Sequence, residues 1–219
     1  MANSRTISGA DRETQLARAS LDLLKNRGWE KLALASVARS AKLPLSDVLS
    51  IVPSKSALPA LILRALVKET ARRYKMDPGS GGPRERLFDA TMTFFDTQRH
   101  DAVALKKLYR ALRYDPTMLL ATRGDVLRLS GQLLALGEAD VGLSPRLQAT
   151  VFAGVLIHAV SVWCDDDDEM GKTMAQLDRD LRRADRFLWP KSDRAGVPPA
   201  SAKAGRGRVR ASRDREYGR

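Results

Sequence analysis

The 219-residue chain is 43% hydrophobic but only 5% aromatic and has a single cysteine, a composition that points to an all-α protein with a packed core in a reducing, cytoplasmic setting and excludes a disulfide framework or thiolate metal cluster. Its formal net charge of +12 is segregated, with +8 on residues 1–75, −2 on residues 76–190 and +6 on residues 191–219. Cationic ends around a neutral middle suit a polyanion, either nucleic acid or an anionic membrane surface, though they also serve plain solubility; the longest apolar run, Ala149 to Cys164, falls short of the ~20 residues needed to span a bilayer.

In chain order, residues 1–10 are polar, lack the apolar centre of a signal peptide and read as disordered. From Asp11, two neighbouring stripes (Leu16, Ala19, Leu23 and Ala17, Leu21, Leu24) recur at helical steps and end at Arg27-Gly28, a basic residue and a closing glycine. Ala35 to Ala41 can make about two turns with Val37, Ala38 and Ala41 inward. Lys42-Leu43-Pro44 breaks that helix, and Leu45 to Ile51 makes a second short one with Val48 pointing back at the first. Pro53-Ser54 stops it, and Ser54 or Ser56 is placed to cap the next helix. That longer helix, over about 57–75, puts Leu58, Leu61, Ile62, Ala65, Leu66 and Thr70 on one face, with Pro59 in its first turn. Met76 to Pro83 is a loop.

Beyond it, Leu87, Phe88, Thr91, Phe94 and Phe95 mark a helix from Arg84 to about Gln98. Asp101 is placed to cap another, carrying Leu105, Leu108 and Leu112 and stopping at Asp115-Pro116. A further helix runs from Met118 to about Leu136. Ser144-Pro145, a favoured cap and first-turn pair, starts one that reaches about Trp163. Met170, Met174, Leu177, Leu181, Ala184 and Leu188 step along the last. From Lys191 onward Pro, Gly, Ala, Ser and Arg dominate, giving a disordered basic tail over 191–219 whose Lys203, Arg206, Arg208 and Arg210 can track phosphates.

Gly28-Trp29, Val37-Ala38, Ala41, Leu43, Val48 and Pro53-Ser54-Lys55-Ser56-Ala57-Leu58 together resemble the helix-turn-helix domain of the tetracycline-repressor (TetR) family of transcriptional regulators. The resemblance implies a DNA-binding domain over 11–56, a helical ligand-binding and dimerisation domain over 57–190, and a repressor that binds a palindromic operator in double-stranded DNA as a homodimer. A small apolar ligand in the body would alter the separation of the two heads. By position, Leu45, Ser46, Leu49 and Ser50 face bases and Lys55 a phosphate; Arg39 and Lys42 are cations this chain adds. It also departs from the family pattern. Lys42 stands where a glycine is usual, Asp47 where a threonine or serine meets phosphate, and Leu49 and Ile51 where aromatics are usual. A carboxylate beside phosphate forfeits counterion release, and Leu49 offers apolar contact only, for instance to a thymine methyl.

A helix apolar on nearly every side must be buried against its own core and against something more. In the family resembled, the two C-terminal helices of each subunit form a four-helix interface, which gives Val155, Ala159, Trp163, Met174, Leu177 and Leu181 as the expected dimer contacts; a monomer with a central core helix is the alternative. Met92, Phe95, Leu105, Leu108, Tyr109, Met118, Phe152 and His158 either surround an apolar ligand cavity or pack as core. The run Asp165 to Glu169 offers five hard donors for a divalent cation, but it lacks the spacing of a calcium loop and more simply supplies negative charge to a helix N-terminus. His158 and Cys164, six residues apart, do not share a helix face and have no orienting third group, so no enzyme active site and no cofactor is expected. A second resemblance, over Trp163 to Thr173, Leu177-Asp178 and Arg182, is to TetR-fold lipid-binding proteins of ubiquinone biosynthesis that have lost a DNA-reading helix. It implies an isoprenoid in the body and anionic lipid at the basic ends.

Overall fold

The structure, a computed structural model, describes residues 9–138 and 144–189. The basic tail with Lys203, Arg206, Arg208 and Arg210 lies outside the described residues, as does the chain before Gly9. Among the described residues all regular structure is helical: α1 (Gly9–Arg27), α2 (Leu34–Ser40), α3 (Leu45–Ile51), α4 (Leu58–Met76), α5 (Pro83–Thr97), α6 (Ala102–Tyr114), α7 (Pro116–Leu136), α8 (Pro145–Cys164) and α9 (Gly171–Leu188). Helix α1 therefore begins two residues earlier than Asp11. It closes at Gly28, whose φ of 76° lets its N–H return to Leu24 O at 3.1 Å.

Helix starts match the sequence expectation less closely than helix bodies do. Ser144 and Asp101 precede helices without a capping side-chain bond, and Ser54 and Ser56 bond each other at 2.8 Å instead of capping. Side-chain capping needs an extended Ncap residue whose oxygen points at the first free N–H groups, and Asp101, at φ −103° and ψ 8°, is not extended. Asp115 does cap. Its carboxylate accepts from the N–H groups of Thr117 and Met118 at 2.9 and 3.1 Å, so α7 starts at Pro116 rather than Met118.

The aspartate run has the structural role. The Asp166 carboxylate accepts from the Thr173 N–H and hydroxyl, both at 2.7 Å, and from the Asp167 N–H at 3.0 Å, satisfying donors in the first turn of α9. Burial alone pulls its pKa upward, but the bonds from Thr173 and Asp167 outweigh that and hold it below the usual carboxylate value. Lys106 on α6 donates to the Asp166 carbonyl at 2.9 Å, fixing the turn to the body. Among the described residues no three His, Cys, Asp or Glu side chains are grouped to hold a metal ion.

Helix α8 is 20 residues long and, by length and composition, could cross a membrane; the apolar run counted from Ala149 is shorter because it leaves out the first turn of this helix. Here it packs between α7 and α9 as a core helix. Phe152, Leu156, Ala159 and Trp163 are buried on it, and Leu177, Leu181, Ala184 and Leu188 of α9 are buried with them. One continuous cluster of buried apolar residues runs from Leu16 to Leu188.

Candidate nucleic-acid interface and ligand cavity

The turn after α2 sets the direction of α3. Lys42 N–H donates to Arg39 O at 3.1 Å, and Leu43 N–H reaches back to Ala38 O at 3.0 Å. This pair of bonds is a Schellman motif, which needs its C′ residue in the left-handed region; Lys42 sits there with φ 52°. Leu43 packs on the core as the accompanying apolar contact. Gln15 of α1 donates to Ala41 O at 2.7 Å and ties the turn to the supporting helix. Val37, Ala38, Ala41 and Val48 are buried together, the small alanines allowing α3 to lie close to α2.

The outer face of α3 is open. Leu45 and Leu49 are each 43% exposed, and Ser46 and Ser50 form a second exposed row beside them, each pair four residues apart. The Ser50 hydroxyl donates to Asp47 O at 2.7 Å and keeps its lone pairs free. Asp47 is ion-paired with Arg12 of α1 at 3.2 Å, so the one anion of α3 arrives with its own cation. Arg39 is exposed and bonds Ser36 Oγ at 3.3 Å; Lys42 is exposed. Lys55 is engaged by the head itself: its ammonium lies 4.8 Å from the centre of the Trp29 ring and donates to Glu30 O at 3.3 Å.

Behind the head, α4 to α8 enclose a cavity of about 420 Å³ with almost wholly apolar walls, a volume typical of small-molecule sites. Pro59, Ile62, Leu63 and Leu66 from the first turns of α4 form one side. Phe95 and Trp163, with ring centres 5.7 Å apart, lie on another. Phe95, Leu105, Leu108 and Tyr109 from the expected ligand set line this space; Met92, Met118, Phe152 and His158 do not. Phe152 is spent in the core and Met92 packs half-buried against it. Met118 lines a different, more open cavity of about 590 Å³ between head and body, with Trp29, Lys55, Tyr114 and Asp115. The His158 side chain is 53% exposed on the outside of α8, its Nδ1 2.6 Å from Asp180 Oδ2. Helical periodicity identifies apolar faces but not which neighbours leave a void between them.

Sequence reasoning also missed Gln98, Arg113 and Arg123, the polar residues with most to offer a ligand in this cavity. A signal for Gln98 existed, since it continues the buried stripe Thr91, Phe94, Phe95 by one more helical step. Cys164 is buried, and burial pushes its thiol up to about 11, so it is protonated and unreactive at neutral pH.

No family model and no curated protein matches the sequence. Solved structures match the fold. A TetR transcriptional regulator from Nitrosomonas europaea aligns with a TM-score of 0.61 over 78% of this chain and 97% of its own, at 12% identity. The chain has the TetR fold. A TetR regulator from Rhodococcus sp. RHA1 aligns at a TM-score of 0.53, with 14% identity over 83% of this chain and 96% of its own. A TetR-family regulator from Streptomyces coelicolor also gives 0.53, with 19% identity over 83% of each chain.

In this TetR fold, the stripe expected to meet a second subunit is largely used within one. Val155, Ala159, Trp163, Leu177 and Leu181 are all buried within one chain, in which α9 packs along α8 and the Trp163 ring faces Phe95 of α5 and Lys106 of α6; Met174, 39% exposed, reaches the surface. The outer side of the helix pair instead presents Leu147, Gly154 and His158 of α8, while Ile157, half exposed, also lines the rim of the central cavity. Two links join the cavity to the head. Helix α4 comes straight after the helix pair and forms a cavity wall, and α6, which lines the cavity with Leu105 and Leu108, holds the end of α1 through Lys107, whose ammonium donates to Lys25 O at 2.7 Å.

Proposed function

We infer that the protein is a cytoplasmic, ligand-responsive transcriptional regulator, a repressor that binds double-stranded DNA as a homodimer. The observation that carries this reading is the uncovered outer face of α3, fixed at its angle by the left-handed turn at Lys42. Leu45, Ser46, Leu49 and Ser50 form the base-facing surface, with serine hydroxyls for hydrogen bonds and leucines for thymine methyls. Arg39 and Lys42 face phosphates, while Lys55 braces Trp29 and lies close enough to the head surface to reach a phosphate after leaving that ring. Arg12 offsets the repulsion Asp47 brings.

Dimerisation uses the outer side of α8 and α9, with the exposed Leu147 and Met174 in it. Two heads placed about 34 Å apart would enter successive major grooves of a palindrome. A ligand in the 420 Å³ cavity presses on α4 and α6, and any difference in its affinity for two head positions becomes an equal and opposite effect of DNA on ligand binding. The lipid-binding alternative expects the loss of a DNA-reading helix, whereas α2 and α3 are both formed here.

The test is a mobility-shift assay on the DNA upstream of the protein's own gene, over a salt series, with liposome flotation alongside. Retardation that prefers one sequence and weakens with salt is the expected result. Flotation with anionic vesicles, without sequence-selective retardation, overturns the reading.

A further inference from the structure

The polar groups of the central cavity point to a ligand chemistry. Gln98 is only 2% exposed, and its Nε2 is buried with no hydrogen-bond partner. A buried donor left unmet is destabilising, so its presence on an otherwise oily wall is unfavourable unless something accepts from it. Thr122, the other buried polar residue of the lining, already donates to Met118 O at 2.8 Å. The solvent side of the lining carries Arg113 and Arg123, both exposed and neither bonded to another described residue, and the lining contains no carboxylate. Gln98 precedes the first turn of α6 and Arg113 lies in its last, so they sit toward opposite ends of a helix roughly 20 Å long.

On the reading that this cavity is the effector site, we propose that its ligand is an elongated amphipathic anion. The apolar body fills the space among Ile62, Leu66, Phe95 and Leu108. A carbonyl or similar acceptor on that body takes the Gln98 Nε2 hydrogen bond, and an acidic group at the outer end meets Arg113 and Arg123. Neutral hydrocarbons leave both polar features unanswered, and cations are repelled at the rim.

The experiment uses the full chain and paired fluorescent probes. 1-Anilinonaphthalene-8-sulfonate binds about tenfold more tightly than N-phenyl-1-naphthylamine, which has the same rings without the acid, as one charge-assisted contact provides; the two compete for one site. Arg113→Ala with Arg123→Ala removes that preference and changes the neutral probe's affinity less than about twofold. For the deep end, the ketone probe 6-propionyl-2-dimethylaminonaphthalene emits further to the red in the native chain than in Gln98→Met, where its carbonyl has lost the donor. Equal affinities for the acid and neutral probes, absence of competition, no binding by either, a preference surviving the double substitution, or an unmoved ketone emission each overturn the proposal. DNA retardation is measured separately on the same protein, so failure of the anion assignment with retardation intact leaves the regulator reading standing, and the reverse outcome is equally distinguishable.

Discussion

Lys42 occupies a backbone position that suits glycine and a surface position that suits a cation. A left-handed L-residue costs about 1–2 kcal/mol, and glycine recovers part of this while adding entropy to the unfolded chain. Lys42→Gly is therefore expected to raise stability by about 0.5–1 kcal/mol in urea unfolding. It should also weaken DNA binding and make the salt dependence shallower by about one phosphate contact. Lower stability would contradict the Schellman geometry, and unchanged salt dependence would remove Lys42 from the interface. Asp166 allows a test with pH. Its folded pKa is lowered, so its stabilising effect is present above the unfolded carboxylate value of about 3.9 and is lost as pH falls through the lower folded value. Asp166→Asn should cost about 1–2 kcal/mol at pH 7, and the gap from the native chain should close as acid unfolding measurements pass below the ordinary carboxylate range. A gap independent of pH would assign the loss to packing instead of charge.

Among the elements, α3 carries the face proposed to read DNA and has no cation of its own. Asp47→Lys replaces its anion and also frees Arg12, losing an exposed pair worth at most about 1 kcal/mol of stability. DNA affinity should rise and the salt slope should steepen by about two to three phosphate contacts. Titration of labelled DNA at two salt concentrations checks this; an unchanged slope places α3 outside the groove. The helix pair was legible in the sequence because Val37, Ala38, Ala41 and Val48 repeat at helical steps and Gly28 marks a chain reversal. Helix caps were not, since capping at Asp101 depends on backbone angles the residue type does not dictate, and the extended Ser54 shares its hydroxyl with Ser56 instead. The fate of the α9 stripe was hidden for a different reason. Leu177 and Leu181 announce that a partner is required, and nothing in their spacing says whether it is α8 of the same chain or of another. Gln98 continues a stripe legible in the sequence, but that its amide nitrogen finds no partner emerges only in the packed fold.

At the scale of the whole molecule, the proposed function requires the head, the cavity behind it and the outer face of α8 and α9 to act together. If that outer face joins two copies, Leu147→Arg puts a charge into a surface that must be desolvated on pairing. Light scattering should then show a shift from dimer toward monomer with helical circular dichroism retained, and DNA affinity should fall because two heads no longer bind as one unit. A native chain that is already monomeric at micromolar concentration would contradict this arrangement. The claim that α3 enters the major groove in a paired assembly is tested most directly by methylation-protection footprinting on the DNA the protein retards. Two protected major-groove patches about 10 base pairs apart, centre to centre, each weakened by Ser46→Ala with Leu49→Ala, are predicted. Protection confined to the minor groove, a single unpaired patch, or a footprint indifferent to those substitutions would contradict it.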